Sequence, residues 1–267
     1  TAIKGQISSD TTWSASGSPY VVTGSVLVSE GVKLTVEAGV EVKFSSGTSL
    51  QVFGELVAQG TSSSGITYTS TQDSKAAGDW GQIVFYDSSV DVTFDGDGNY
   101  ASGSIMEYCT VEYGGGIWIK KGNTFISQST IRYNSGTGID QVFEEANSAA
   151  RLQITNNTIS NNSQGSAHWK AGGINISWNA TTTGVITGNI ISDNVGYGGG
   201  GISASGSLII SGNTIENNKA GRYEDYGDRV QFRLDGKGGG IRSDSSTVQI
   251  LNNIIKGNRA EKGGGIA

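Results

Sequence analysis

The chain has very little proline, cysteine, methionine or histidine, because each of them occurs only once in 267 residues. The single cysteine, Cys109, excludes an internal disulfide and therefore a disulfide-stapled fold. No apolar run approaches the roughly 20 residues that a membrane-spanning helix needs. Basic residues are also scarce, since the formal net charge is −6 and the sequence pI is about 4.8. This balance excludes the basic stripe that a nucleic-acid partner would require.

Glycine, by contrast, is abundant, with 42 residues. Each glycine costs about 1 kcal/mol in a helix interior relative to alanine, so the composition disfavours helices. Valine and isoleucine recur at regular positions along the whole chain, which argues against disorder. The sequence therefore predicts an ordered, predominantly β-structured protein.

From Ser104 onward the sequence divides into six related units with an apolar residue at three fixed places. The first column contains Met106, Ile126, Ile154, Ile186, Ile210 and Ile250. The second contains Val111, Ile131, Ile159, Ile191, Ile215 and Ile255. The third contains Ile117, Ile139, Ile174, Ile202, Ile241 and Ile266. A single coil cannot cover its own apolar side, so such columns predict stacked coils about 4.8 Å apart, in an all-β solenoid.

Two polar columns run beside the apolar ones. One contains Cys109, Ser129, Asn157, Asn189, Asn213 and Asn253, and the other contains Gly114, Asn134, Asn162, Asn194, Asn218 and Asn258. We expect these asparagines to take the left-handed conformation of tight turns and to hydrogen-bond to the same residue one coil away. Cys109 ends its column, so we interpret it as a small buried packing residue and not as a nucleophile.

The N-terminal part has shorter alternating segments of the same kind. We expect residues 1–24 to form a cap over the first coil and residues 25–267 to form one continuous β-helix. The last residues, GGGIA, stop within a repeat. We therefore expect the natural protein to continue beyond Ala267.

The run I-x-x-N-x-I-x-x-N followed by GGGI resembles the right-handed parallel β-helix repeat of pectate-lyase-like proteins. The segments DTTWSASGSPYVVTGSVLVSEGVKLTVEAGVEVKF, AAGDWGQIVF and GSIMEYCTVEYGGG resemble bacterial and archaeal secreted or cell-surface proteins that carry such repeats. The resemblance covers nearly the whole chain and implies an extracellular location. It does not choose among functions, because the superfamily includes lyases, hydrolases, epimerases, adhesins and scaffolds.

The turns that precede each third-column isoleucine vary in length, and such insertions collect on one face, often a binding face. The longest turn runs from Lys219 to Lys237 and concentrates charged and aromatic residues. Aromatic rings stack on sugars, and guanidinium groups hold carboxylates or hydroxyls. The candidate ligand-binding residues are Trp169, Lys170, Tyr197, Arg222, Tyr223, Tyr226 and Arg233. The alternative is a solvated loop whose charges pair with one another.

We therefore favour a cell-surface or matrix module that presents a face for a polysaccharide or another extracellular partner. A polysaccharide lyase or glycoside hydrolase is the alternative, since glycan cleavage needs acid/base groups or paired carboxylates. Its candidate catalytic residues are His168, Glu224, Asp225, Asp228 and Arg229. We find no acidic cluster on the strands, which favours a non-enzyme. A purely structural spacer or filament subunit is the third possibility.

Two smaller features complete the candidate sites. Asp95, Asp97 and Asn99 alternate with glycine, a pattern of oxygen ligands that could hold Ca²⁺, although acidic glycine-rich runs are also ordinary turns. No other cofactor is expected. Residues after each GGGI, including Trp118, Lys120 and Lys121, could form a second face, although burial of each Trp is equally compatible with the pattern.

Overall fold

The computed structural model describes residues 1–142, 151–164, 170–177, 183–225, 230–244 and 247–267. These parts of the chain are β-structure with connecting turns, apart from one short 3₁₀ helix at Ala15–Gly17. No helix among the described residues is long and apolar enough to cross a membrane.

The strands are short and follow one another closely. In chain order the first eleven are β1 (Ala2–Ile7), β2 (Thr11–Trp13), β3 (Tyr20–Val28), β4 (Lys33–Val36), β5 (Glu41–Phe44), β6 (Leu50–Val52), β7 (Glu55–Gln59), β8 (Ile66–Ser70), β9 (Ile83–Phe85), β10 (Thr93–Phe94) and β11 (Tyr100–Ser102). The next eleven are β12 (Ile105–Glu107), β13 (Cys109–Glu112), β14 (Ile117–Lys120), β15 (Phe125–Ser127), β16 (Thr130–Arg132), β17 (Ile139–Val142), β18 (Arg151–Thr155), β19 (Thr158–Ser160), β20 (Ile174–Ser177), β21 (Thr183–Thr187) and β22 (Ile190–Ser192). The last ten are β23 (Val195–Gly196), β24 (Ile202–Ala204), β25 (Ser207–Ser211), β26 (Thr214–Glu216), β27 (Lys219–Ala220), β28 (Arg222–Asp225), β29 (Val230–Arg233), β30 (Ile241–Ser243), β31 (Gln249–Leu251) and β32 (Ile254–Lys256).

Most strands belong to three parallel faces that the chain visits in turn. Face 1 is formed by β2, β4, β7, β12, β15, β18, β21, β25 and β31. Face 2 is formed by β5, β8, β13, β16, β19, β22, β26 and β32, and face 3 by β6, β9, β14, β17, β20, β24 and β30. The long strand β3 pairs with both β5 and β6 and so contributes to faces 2 and 3. Parallel strands joined by such crossovers wind with a right-handed sense. The predicted right-handed parallel β-helix is confirmed.

The three apolar columns are stacked as the sequence predicts. On face 1 Met106 lies beside Ile126, and the register continues to Ile250. On face 2 the pairing runs from Val111 to Ile255, and on face 3 from Ile117 to Ile266. The column members before the last coil are buried and form one core.

The two asparagine columns form ladders along the axis, one at each end of face 2. At every Asn–Asn step the Nδ2 atom donates to the Oδ1 atom of the next asparagine at 2.9–3.0 Å. The same Nδ2 atom also donates to a main-chain carbonyl of the preceding coil, as Asn194 does to Ile159 at 2.8 Å. Cys109 and Gly114 end the ladders through their backbone N–H groups. The predicted amide ladders are therefore confirmed.

The residue before each ladder position, however, adopts the left-handed turn conformation. Our assignment of that conformation to the ladder asparagines is therefore wrong. These preceding residues have φ between 50° and 67°. They are Tyr108, Gln128, Asn156, Gly188, Gly212 and Asn252 at one corner, and Tyr113, Tyr133, Asn161, Asp193, Asn217 and Gly257 at the other. The turn position accepts several residue types, whereas the ladder position must supply both a donor and an acceptor.

Residues 1–24, predicted to cap the first coil, pair with the strands that follow them. Strand β1 pairs in parallel with β3, and β2 pairs in parallel with β4 of face 1. The predicted boundary at residue 24 lies inside β3. The segment is thus the first coil, because its apolar residues continue the columns of the coils that follow, with Trp13 buried and stacked on Tyr20.

The glycines before each third-column isoleucine are required by the close approach of successive coils. A Cβ atom on Gly201 would lie 2.7 Å from the Gly240 carbonyl oxygen and 3.0 Å from Cγ2 of Ile215. A Cβ atom on Gly173 would lie 2.5 Å from the carbonyl oxygen of Gly201. The GGGI signature therefore marks the corner at which the chain enters face 3.

Candidate functional site

The residue that follows each third-column isoleucine forms a row along face 3, which we call the axial row. Residues alternate between the two sides of a strand, so this position points away from the core. Strand pairing places the members on successive coils, in the order Trp118, Asp140, Asn175, Ser203 and Arg242. At about 4.8 Å per coil, the row extends about 19 Å.

Asp140 is the centre of a polar network in the axial row. Its carboxylate accepts a hydrogen bond from Lys170 Nζ at 2.6 Å and another from Asn175 Nδ2 at 2.8 Å. Asp140 is only 4% exposed, so these partners compensate for the loss of hydration of its charge. Lys170 comes from the turn that leads into the next coil, and its carbonyl accepts the Gly198 N–H at 2.9 Å.

Aromatic and cationic side chains flank the Trp118 end of the axial row. Lys120 Nζ lies 3.9 Å from the ring centroid of Trp118 and 4.5 Å from that of Tyr86, which is stacked on Phe53 at 4.0 Å. Lys170 Nζ lies 5.6 Å from the Trp118 ring. The indole Nε1 of Trp118 is buried and has no hydrogen-bond partner in the described part of the chain. A cavity of about 220 Å³ beside it is lined by Tyr86, Asp87, Trp118, Lys120, Lys121 and Val142.

A second cavity, of about 240 Å³, lies at the other end of the axial row. Arg242 forms a two-point ion pair there with Asp244, at 2.7 Å and 3.2 Å. The polar lining residues are Asn175, Ser177, Ser203, Ser205, Arg242 and Asp244. Face 3 therefore offers an aromatic and cationic cavity, a buried carboxylate and a hydroxyl-rich cavity in one line.

The long insertion is an antiparallel hairpin of β28 and β29, in which Arg222 is paired with Arg233 and Tyr223 with Phe232. Arg222 lies 5.5 Å from the ring of Tyr197 and forms an ion pair with Asp235 at 3.3 Å. The structure thus brings Tyr197, Arg222, Tyr223 and Arg233 into one region. It also pairs some of the hairpin charges internally, in line with the alternative interpretation.

The variable turns lie side by side, as predicted. Val195 pairs with Lys219, and isolated bridges join Ser163 to Val195 and Lys219 to Arg259. The predicted residues His168, Trp169, Tyr226, Asp228 and Arg229 lie outside the described residues. Glu224 and Asp225 lie in β28, where only their backbone pairing is described.

The predicted calcium residues form a self-contained turn. Oδ1 of Asp95 accepts the N–H groups of Asn99 at 2.8 Å and Asp97 at 3.0 Å, and its Oδ2 accepts Asn99 Nδ2 at 3.3 Å. These bonds, that of the Asn99 N–H foremost, lower the pKa of the Asp95 carboxyl. Among the described residues, no three His, Cys, Asp or Glu side chains form a group that could hold a metal. Calcium at this turn stays a prediction.

Sequence reasoning missed the centre of the axial row, because it considered charges in the turns and expected none of consequence on the strands. Asp140 lies within β17 and Arg242 within β30. The signal was available, since each residue directly follows a third-column isoleucine and must alternate outward. Trp118 and Lys120, suggested by the sequence as part of a second face, are strand residues of β14.

Comparison with known families supports the architecture and leaves the activity open. A family model described as a right-handed β-helix region matches residues 85–267. A second model, described as a pectate-lyase-like β-helix domain, matches residues 5–144. No curated protein and no solved structure matches the chain.

Proposed function

Since the chain belongs to the right-handed β-helix family, with a pectate-lyase-like domain at residues 5–144, we propose that it is an extracellular module that binds a polysaccharide along face 3. The observation that carries this proposal is the axial row itself. Its five side chains lie on five successive coils, so their spacing suits a linear polymer that runs along the axis better than a compact ligand.

The chemistry of the row suits sugar rings. Trp118 supplies an aromatic surface, and its unpaired Nε1–H is a donor that a ligand oxygen would satisfy after a small side-chain movement. The half-buried Ser177 and Ser205 of the second cavity can donate to and accept from ligand hydroxyl groups, and Arg242 offers a planar cationic donor. The two cavities would each hold one part of the chain of sugars.

The site differs from the loop face that the sequence suggests, although Lys170 belongs to both. Because Lys170 is bound to Asp140, Lys170 itself lies against the axial row. The hairpin of β28 and β29 is a separate element whose Arg222 and Asp235 pair with each other. We therefore assign the polymer to face 3 and treat the hairpin as an outer border.

Retention on insoluble glycans, together with affinity electrophoresis in pectin, alginate and glycosaminoglycan gels, tests the proposal. Trp118→Ala should reduce retention at least tenfold on whichever polymer binds the unmodified chain. Tyr133→Ala is the matched control, since Tyr133 is an aromatic side chain that is 39% exposed beside face 2. Equal retention of the two variants, or no retention on any polymer, would contradict the proposal.

Two further experiments locate the binding site. Binding should strengthen with oligosaccharide length until the ligand spans about 19 Å, the extent of the axial row, and then level off. Replacing residues 222–233 with a short glycine-serine turn should leave retention within twofold. A large loss in that variant, with Trp118→Ala unaffected, would move the site to the hairpin.

An enzyme is the second candidate, favoured by the almost fully buried carboxylate of Asp140 beside the amine of Lys170. Such a pair could take part in acid/base cleavage of a glycan held in the row. The same polymer panel can be assayed for unsaturated products or new reducing ends. If these form with the unmodified chain and are abolished in a folded Asp140→Asn variant, the protein is an enzyme and not only a binding module. Absence of both retention and turnover would favour a structural spacer.

A further inference from the structure

Four tripeptides in the chain have the form Asn-x-Ser or Asn-x-Thr, the acceptor motif for N-linked glycans on exported proteins. They begin at Asn156, Asn161, Asn175 and Asn179. Asn179 lies outside the described residues. The structure separates the other three by the surroundings of their acceptor side chains.

Asn156 and Asn161 lie at the two corners that flank β19. Both have φ of 56° and both are exposed. Neither belongs to the amide ladders, because each directly precedes a ladder asparagine, Asn157 and Asn162 respectively. A substituent on either acceptor would therefore leave the ladders intact.

Asn175 has the opposite environment. It is 2% exposed, and its Nδ2 atom donates to Asp140 Oδ1 at 2.8 Å in the axial row. A sugar on this nitrogen would have to displace Asp140 and would not fit the buried position. The folded chain is therefore incompatible with a glycan at Asn175.

We propose that Asn156 and Asn161 are acceptor sites for N-linked glycans when the chain is exported through a glycosylating pathway. The Nδ2 atom forms a bond to the anomeric carbon of a lipid-linked oligosaccharide. The amide loses one proton, and the lipid carrier departs with its phosphate group. Both acceptors flank β19 of face 2, and neither is a member of the axial row.

The fold also determines at which stage the glycan can be transferred. The N–H of Asn156 donates to the Thr187 carbonyl at 3.0 Å, and that of Asn161 donates to the Ser192 carbonyl at 3.2 Å. These bonds hold both motifs against the next coil and deny a transferase an extended acceptor. Modification must therefore precede closure of the following coil, during export.

The test is expression of the full chain behind a secretion signal in an N-glycosylating host, followed by intact mass and peptide mapping with and without an amidase that releases N-glycans. In the secreted, folded fraction we expect glycans at Asn156 and Asn161 and none at Asn175, because a chain that received a glycan at Asn175 before folding could not form the buried contact with Asp140. Secreted, folded protein with both corner asparagines bare, or a glycan at Asn175, would overturn the proposal.

A pair of variants assigns the glycan at Asn156 without altering the acceptor. Thr158→Ala should remove the glycan at Asn156, whereas Thr158→Ser should retain it. Ser177→Ala is the control and should leave the mass unchanged apart from the substitution. Loss of both glycans in this control would contradict the assignment, and the peptide map of the unmodified sequence decides the question if a variant fails to fold. Because this test uses no polysaccharide ligand, its result is independent of the function proposed for face 3.

Discussion

Replacing Asn194 with alanine is expected to lower the free energy of unfolding by about 3 to 5 kcal/mol. Asn194 is fully buried in the middle of its ladder. Its Nδ2 atom donates to the carbonyl of Ile159 and to Oδ1 of Asn218, at 2.8 Å and 3.0 Å. Its Oδ1 atom accepts both the backbone N–H and the Nδ2 of Asn162, each at 3.0 Å.

The alanine variant removes all four of these bonds at once. The N–H of Asn162 loses its acceptor and the Ile159 carbonyl loses a donor, and each buried group left unpaired costs about 1–3 kcal/mol. The absent amide also leaves a small void, which adds to the loss. A surface contact of the same size would cost far less, typically under about 0.5 kcal/mol.

Equilibrium unfolding in guanidinium chloride, followed by far-UV circular dichroism and Trp fluorescence, measures this effect. Asn217→Gly is the matched control, because Asn217 is exposed, occupies the adjacent turn position at φ 57° and lies outside the ladder. Glycine adopts that conformation readily, so this variant should remain within about 0.5 kcal/mol of the unmodified chain. If the free energies of unfolding of Asn194→Ala and Asn217→Gly differ by less than about 1 kcal/mol, the ladders do not stabilise the fold as argued.

Three other predictions concern the interior. Gly201→Ala should destabilise the chain by about 1–3 kcal/mol in the same unfolding assay, because its Cβ would lie 2.7 Å from the Gly240 carbonyl oxygen, whereas Gly96→Ala, with nothing within 4 Å, should be nearly neutral. Tyr68→Phe should raise stability by up to about 1 kcal/mol, since the Tyr68 hydroxyl is buried without a partner among the described residues. Burial also raises the pKa of Tyr68 above its unfolded value, so the unmodified chain should lose stability as the pH rises above about 10, and the variant should lose less. Burial likewise raises the pKa of the Cys109 thiol, so a disulfide reagent at pH 8 should label it only after unfolding, and rapid labelling of the native chain would contradict its buried position.

The stacking of the coils could be predicted because it rests on one requirement that recurs in every coil. An apolar side chain in the wrong register would face solvent, so the spacing of Ile159, Ile191 and Ile215 specifies their alignment without knowledge of the turns. The turn conformation could not be assigned in the same way. In the pair Asn161–Asn162 either residue could adopt positive φ, and only the ladder contacts of Asn162 reveal which one does.

The candidate site illustrates a different limit of sequence reasoning. That Asp140 points outward follows from its place after Ile139, but its partner Lys170 is 30 residues away, at the end of a turn of irregular length. No periodicity relates the two, because turn length decides where Lys170 reaches the strand. The hairpin could not be predicted from spacing either. Its strands β28 and β29 pair residue by residue, but the dense charges of the segment are typical of a loop.

The two levels of prediction therefore have different physical origins. Interactions repeated in every coil, such as the apolar columns and the amide ladders, are enforced by the geometry of the solenoid and are visible as spacing. Interactions made once, such as the Asp140–Lys170 pair, depend on departures from that spacing. A binding site on a repeat protein needs such departures, since a surface identical in every coil would offer a polymer no preferred register. The row from Trp118 to Arg242 changes its chemistry at each step, and that change is the physical basis of the proposal that face 3 binds a polymer.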